Sequence, residues 1–429
     1  MAAAVTLVSA GQSVTLIESR KRLGGRASSF VDQESGETVD NCQHVAMGCC
    51  TAFLEFCRTT GLSDQLRRER QLTFLAPRHR PCTFTSAPLP APFHLAPAFA
   101  RIPYLSWSEK FAFGRAAAAL AWSHPKTLQG RNFLTWLQDH GQTERLIRRV
   151  WEVLLVSALS ESMDRIDASY ARKVLVDGFL TNRTGWEVYV PRIPLDALFT
   201  DRVLPWLSER GAHIEMGTAV ERLEFDGNRV LGVQLRDGRL INADQVIVTV
   251  PWHRLGQLLG PELLHSCQIP DSTQLQSAPI TSVHLWLDQP LMPQRSVVLV
   301  ERLCQWVFLH PEQPGQSGAA QQVWRYQVVI SASRMLKGVS REETVARVWH
   351  ELRDIFPEAA NATLQHARVV TEHRAVYSPL PGVDAYRPSQ KTAVANLFLA
   401  GDWTQTDWPA TMESAVLSGN RAAQLICES

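Results

Sequence analysis

The chain has no apolar run approaching the roughly 20 residues needed to cross a bilayer, so hydropathy gives no membrane span. Its cysteines, at 42, 49, 50, 57, 82, 267, 304 and 427, form no CxxC pair and no cysteine–histidine spacing of a zinc site. Their scatter argues against a disulfide framework or a metal centre and points to reduced thiols in a cytoplasmic protein. Charge of one sign is missing too. Lys and Arg total 43 against 42 Asp and Glu, so no bulk field draws the chain to nucleic acid. There is no internal repeat and no low-complexity tract. The N-terminus, MAAAVTLVSAGQ, lacks the basic start and the long apolar core of a secretory signal.

What is present is enough sequence, 429 residues, for two domains with separate cores. The most informative stretch is Asn396 to Ile426. Here an apolar run, Leu397 to Ala400, stops at Gly401-Asp402, and a polar loop leads through Trp408-Pro409 into a helix. A short apolar run ending in glycine reads as a buried strand of a parallel sheet, and ligands of such sheets bind beyond the strands' carboxyl ends. Gly401 has no Cβ and allows close backbone approach. Asp402 can accept from a ribityl or ribose hydroxyl, and Pro409 suits the first turn of a helix whose free N–H groups face an electron-rich ligand edge. Ala415, Ser418, Gly419 and Ala422 make a small-residue face for a neighbour. A strand and helix closing any α/β domain would read the same way in isolation.

The other end of the chain supplies the match. Residues 2 to 10 read as a helix closed by Gly11, followed by the strand Ser13 to Ile17 with Glu18 at its end. This is the second half of a βαβ dinucleotide unit, in which an acid ending the second strand holds ribose hydroxyls. The glycine fingerprint belongs about 20 residues earlier, which falls before Met1. The first strand and its GxGxxG loop are therefore missing from this sequence, and a misplaced start codon is the preferred explanation. After Glu18 comes Arg20-Lys21-Arg22-Leu23-Gly24-Gly25-Arg26, whose paired glycines and arginine can meet a pyrophosphate. A basic surface turn is the alternative reading of that segment.

Between these ends, Thr38 to His44 reads as a short strand entering a polar turn, and Thr51 to Thr60 as an amphipathic helix. Residues 71 to 106 are rich in proline and aromatics and low in acids, which suits a greasy entrance, a membrane face or an ordinary loop-rich crossing. Helical patterns fill 108 to 177. Strands and tight turns follow from His213 to Ile241, then a buried strand at 244–250. Residues 280 to 375 alternate as a sheet interrupted by a helix at 342–356. The fold class is α/β: a Rossmann-like domain without its N-terminal strand and glycine loop, joined to a mixed-sheet plus helical substrate domain. The expected boundaries are 1–70, 205–265 and 390–429 for the first domain, and 71–204 and 266–389 for the second.

Glu18, LGGR at 23–26, VDNCQH at 39–44, the VIVTVP strand and AGDWTQTDWPATMESAVLSG occur in that order. In this combination the chain resembles the flavin-containing amine oxidase and phytoene desaturase superfamily. VDNCQHVAMGCC, VPRIPLDALF and DWPATMESAVLSG narrow the likeness to the squalene-associated desaturases, the hydroxysqualene dehydroxylases of hopanoid biosynthesis. The resemblance implies FAD as cofactor. It places Glu18 on the adenosine ribose, and Gly24, Gly25 and Arg26 at the pyrophosphate and flavin. Val220 would meet the adenine through its backbone, Gly401 and Asp402 would hold the pyrophosphate and ribityl chain, and Ala410, Thr411 and Met412 would cover the pyrimidine edge. Cys42 stands where relatives carry glycine, and a thiol there crowds the flavin.

The implied reaction is reductive removal of an allylic hydroxyl from hydroxysqualene, on a hydrophobic isoprenoid substrate, with His44 as the acid because imidazole titrates near neutrality. The alternative for His44 is a hydrogen bond to backbone. Trp286, Trp306 and Trp324 either line a cation-tolerant pocket or pack a core. An oxidative relative, a carotenoid-type desaturase or amine oxidase, remains the second reading, and a non-catalytic remnant that lost FAD with its loop the third. The implied location is the cytoplasm with peripheral contact to the inner face of the cell membrane, and the implied partners are other hopanoid-pathway enzymes.

Overall fold

A computed structural model describes residues 1–310 and 323–428. Residues 311–322, inside the stretch read as alternating strands, and Ser429 lie outside the described residues. The first helix, Ala2–Ser9, is followed by Gly11 at a φ of 77°, a left-handed turn that glycine makes without a steric penalty. The chain then enters the strand Thr15–Glu18. This strand pairs in parallel with His213–Met216, Glu18 lying opposite Met216. A second parallel pair joins Val246–Val248 to Leu397–Leu399. Leu397, Phe398 and Leu399 are all buried, as an unbroken apolar run in a strand covered on both faces requires. Among the described residues the two pairs form separate sheets. The predicted hairpin insertion is present as Val220–Phe225, Val230–Leu235 and Leu240–Asn242, three antiparallel strands.

The ends of the chain meet through their helices. The C-terminal helix, Met412–Cys427, buries Ser418, Gly419, Ala422 and Ala423, and Thr6 donates to Asn420 across the contact at 3.0 Å. A Cβ on Gly419 would lie 2.9 Å from the Ala3 nitrogen and 3.1 Å from the Ala2 Cβ, so only glycine fits. Ala415, expected on the same packed face, is exposed. Pro409 also differs from expectation. The helix starts at Met412, and the Thr411 side chain caps it by accepting from the Ser414 N–H; Pro409 stays in the loop before it.

The second layer is a seven-stranded sheet in the order 364–377, 277–287, 324–331, 306–309, 296–299, 72–75, 82–84. Its central strands alternate as read. Val283, Leu285 and Leu287 join Val328 and Ile330 on an apolar face under the helix Arg341–Ile355, while Ser282, His284 and Trp286 point the other way. The proline-rich stretch supplies the last two strands, Leu72–Leu75 and the edge strand Cys82–Phe84, before it turns helical. A helical group packs beside the sheet around Phe133, Trp136 and Trp151. Residues 188–204, assigned above to the substrate domain, pack elsewhere. Val188–Pro191 pairs with Leu66–Glu69 and Ala46–Met47, and the helix Leu195–Ser208 turns Leu195, Leu198, Phe199 and Val203 onto Val5, Leu23 and Phe53. All eight cysteines are free thiols.

Replacing Gly419 with valine should destabilise the protein by about 1–3 kcal/mol, the usual range for overpacking. Urea denaturation reads this as a lower midpoint with an unchanged slope.

Candidate active site

The residues singled out from the two chain ends lie along one continuous line of contacts. At the end of its strand, the Glu18 carboxylate accepts from the Arg20 N–H at 2.8 Å and from the Ser19 hydroxyl at 3.1 Å. The Glu18 carbonyl accepts from the Thr218 N–H at 2.9 Å, which brings the turn before Val220 against the acid. Val220 opens the neighbouring hairpin, half-buried beside the core. From Glu18 the chain runs to Gly24 and Gly25, both at positive φ. A Cβ on Gly24 would strike the Ala27 carbonyl oxygen at 2.1 Å, so the turn itself requires glycine there. At Gly25 nothing lies within 4 Å of that position, which leaves the backbone open to a ligand.

Arg26 joins the two halves. Its guanidinium pairs with the buried Asp402 carboxylate and donates to the Ala375 carbonyl at 2.6 Å. Its own carbonyl accepts from the Asn41 side chain, so the 39–44 turn is tied to the same point. Gly401 has a φ of 147°, and the place of its missing Cβ is taken by the Trp403 indole, 2.6 Å away. That indole donates to the Val250 carbonyl at 3.1 Å. The close approach at Gly401 is thus made by Trp403, while the Gly401 N–H donates to the Ser418 hydroxyl at 2.8 Å.

Ala410, Thr411 and Met412 are half-buried at the start of the C-terminal helix. The next residue, Glu413, is buried and reaches back to the helix Thr51–Thr59, accepting from the Ala52 and Phe53 N–H groups at 3.0 and 2.7 Å. It caps a helix whose own N-cap residue, Cys50, makes no side-chain cap. Burial raises the Glu413 pKa, against the two backbone donors that lower it. Met412 and His44 line one narrow apolar crevice together with Ala46, Phe53, Leu195 and Phe199. Leu66 and Tyr189 are shared between this crevice and an open cavity of about 320 Å3.

The His44 Nδ1 lies 2.9 Å from the Cys42 carbonyl, a contact that makes Nδ1–H the donor and leaves the lone pair on Nε2. Burial pushes the His44 pKa down, and the Arg26 charge adds to this, against the Cys42 carbonyl. His44 is therefore a neutral imidazole at rest, and the backbone contact raised as its alternative role is present. Burial pushes the Cys42 thiol up to about 12, so it carries no thiolate at neutral pH.

Two groups carried no sequence signal. Arg387, 1% exposed, donates to the carbonyls of Trp403, Thr404 and Trp408 and pairs with Asp384 at 2.9 Å. It stands over the rings of Tyr170 and Tyr377 and holds the 403–408 loop from beneath. Its partners are far apart in sequence and obey no spacing rule. The second group is on the polar face of the large sheet. His284, 2% exposed, has no hydrogen-bond partner for either ring nitrogen among the described residues. Gln327 bridges the His310 ring at 3.0 Å and the Ser282 hydroxyl at 2.8 Å. His284 and Gln327 sit opposite each other on neighbouring strands and so share a face, a pairing that alternation within one strand does not reveal. Trp286 and Arg325 both donate to Glu37, at 2.7 and 2.8 Å. Trp306 donates to Ser157 and Trp324 packs on the apolar core.

With this geometry in view, the comparisons are direct. The family model described as flavin containing amine oxidoreductase matches residues 1–427. A hydroxysqualene dehydroxylase of Rhodopseudomonas palustris is 27% identical over 99% of this chain and 95% of its own length. A 15-cis-phytoene desaturase of Synechococcus elongatus is 24% identical over 98% of this chain and 92% of its own. Among solved structures, an oxidoreductase from Methanosarcina mazei superposes with a TM-score of 0.70 over 100% of this chain and 97% of its own, at 15% identity. That last likeness concerns the fold.

Replacing Arg387 with methionine should cost roughly 3 kcal/mol, because several buried carbonyls lose their donor at once. Lysine should not restore the loss, since a point charge cannot serve a fork of acceptors; thermal unfolding of both variants checks this. A pH test applies to His284, whose pKa burial pushes down to about 3. The unfolded chain takes up a proton below about 6.5 that the folded state refuses, so this site loses stability as pH falls through that range. His284→Phe should therefore gain on the wild type by about 1.4 kcal/mol per pH unit between about pH 6.5 and the folded-state value of about 3, and by nothing further outside that window. Urea denaturation at pH 8 and pH 5 distinguishes the two.

Proposed function

The chain belongs to the flavin containing amine oxidoreductase family, and from that premise we propose that it reductively dehydroxylates hydroxysqualene to squalene. It is an FAD-dependent oxidoreductase. The residues present fit the cofactor. Gly25 offers an open backbone at positive φ, Glu18 presents a carboxylate at a strand's carboxyl end, and Arg26 with Asp402 forms a charge pair between them and the C-terminal helix. Glu18 and the Val220 backbone would hold the adenosine end, Gly24, Gly25 and Arg26 the pyrophosphate, Asp402 the ribityl chain, and Ala410 to Met412 the pyrimidine edge. FAD, bound in its reduced form, supplies the hydride.

The balance is one C–O bond broken and one C–H bond made, a two-electron reduction of the substrate carbon, with a proton joining the departing hydroxyl as water. This chain's part is to orient the hydroxyl, exclude water and deliver that proton. The side chains packed around His44 and Met412 are apolar, surroundings compatible with a hydrocarbon substrate once the closed crevice opens. The neutral His44 accepts the substrate hydroxyl at Nε2 in the resting site and acts as acid once it has taken a proton. The observation that carries the reading is full-length similarity to a hydroxysqualene dehydroxylase, joined to a titratable imidazole on an apolar wall. Enzymes that supply hydroxysqualene and consume squalene in hopanoid synthesis would be its neighbours.

Similarity to a 15-cis-phytoene desaturase supports a second reading, hydride transfer from substrate to the cofactor. Incubating the FAD-loaded protein under reducing conditions with hydroxysqualene should yield squalene. Desaturation of phytoene with an electron acceptor, and no squalene, would establish the second reading instead. With His44 as acid, kcat/KM should rise as pH falls toward its lowered pKa, and His44→Gln should flatten that rise. A parallel profile in the variant would remove His44 from the role.

A further inference from the structure

The helix Trp107–Trp122 is apolar on both sides. Its inner face, with Ala116, Ala117 and Leu120, is buried in the helical core. Its outer face is not covered. Trp107 is 64% exposed, Phe111 72% and Trp122 86%. At about 100° per residue these three fall within one sector some 60° wide, and the helix is unbroken between them. Three large aromatics aligned on open helix surface, along roughly 22 Å of axis, are more than the single exposed apolar residues that any surface carries.

The segment that carries this face is basic. From residue 71 to 130 the sequence contains Arg78, Arg80, Arg101, Lys110, Arg115 and Lys126, and Glu109 as its only acid. Glu109 is buried and committed to capping the helix, where it closes a capping box with Ser106. Arg115 is exposed at the edge of the aromatic sector and Lys126 just beyond the helix end, while the Lys110 ammonium sits 4.7 Å from the Trp107 ring centroid. The net charge of the whole chain is only +1, so this segment concentrates cations that the rest of the chain balances.

We propose that the outer face of the helix Trp107–Trp122 docks the protein onto an anionic lipid bilayer, lying in the plane of the interface. Indole and phenyl rings enter the headgroup boundary, and the flanking cations meet lipid phosphates. No helix among the described residues is long and apolar enough to cross a membrane, so the contact is on the surface. A protein partner would bring its own acidic or apolar counter-surface; the combination of aromatic stripe and flanking cations fits a sheet of anionic headgroups over acyl chains. The proposal goes beyond the substrate reading and stands apart from it, because docking is read without turnover.

The test is flotation of the FAD-loaded full chain with vesicles of phosphatidylcholine alone or mixed equally with phosphatidylglycerol. The wild type should float with the mixed vesicles, less with the neutral ones, and lose binding at high salt. Trp107→Ser/Phe111→Ser/Trp122→Ser should bind at least about tenfold more weakly, with circular dichroism reporting the fold. Arg115→Glu/Lys126→Glu should lose the preference for the anionic vesicles while keeping residual binding. Should the triple variant fail to fold, Trp122→Ser alone and the charge variant carry the same comparison. Absence of wild-type flotation, or equal flotation of the variants, overturns the proposal. So does light scattering showing wild-type self-association that the aromatic substitutions abolish without any vesicle binding, which would make this face a contact between copies of the chain.

Discussion

Between Gly419 and the first helix there is no room for one carbon atom, and much of the site rests on that contact. It joins residues more than 400 positions apart, as the Thr6–Asn420 hydrogen bond also does. Closing so long a loop costs little more entropy than closing a shorter one, since the cost grows only with the logarithm of length. What the contact demands is fit. Small residues bury little area each, so their stabilisation comes from close approach and is lost when the helices separate. Once the two helices are seated, Asp402 lies at Arg26 and Glu413 at the open end of the helix Thr51–Thr59.

The site is built largely from irregular backbone held by buried charge. The 401–411 loop has few strand or helix hydrogen bonds of its own, and side chains supply them. Arg387 donates to its carbonyls from below, Ser418 accepts from the Gly401 N–H, and Ser414 donates to the Asp402 carbonyl at 3.0 Å. Each such charge or hydroxyl is stable in the interior because it is matched by backbone groups that would otherwise be stranded. The loop is thus shaped before any ligand arrives, which lowers the ordering cost of binding.

The large sheet divides its labour by face. One side is apolar and carries the helix Arg341–Ile355. The other brings a hairpin at 29–40 against basic and polar strand residues, with Glu37 held by Trp286 and Arg325, and Asp32 at 2.9 Å from His366. Burial keeps His310 on this side neutral, with its pKa near 4, and lifts Asp40 to about 6 against its hydrogen bonds from Ser29 and Leu195. Polar groups here face the 39–44 turn and its histidine, whereas the greasy surface of the molecule lies on the helical side.

Much of the fold was legible in residue order. Period-two alternation located the strands of the sheet, the apolar run at 397–399 marked a doubly buried strand, and Gly11 closed the helix it was expected to close. Glu18, LGGR and the C-terminal segment, taken in order, were also enough to identify the flavoprotein family whose model matches residues 1–427. Local patterns report what each backbone segment prefers, and they were silent where preference depends on a distant neighbour. Nothing in the sequence says that Trp403 fills the space at Gly401, that Arg387 supports the loop, that Glu413 caps another helix, or that residues 188–204 pack with the N-terminal segment. Residue types and periodicity were determined by the sequence alone; the pairing of charges and the covering of faces were decided by tertiary structure, since burial is a property of the whole assembly and of no single segment.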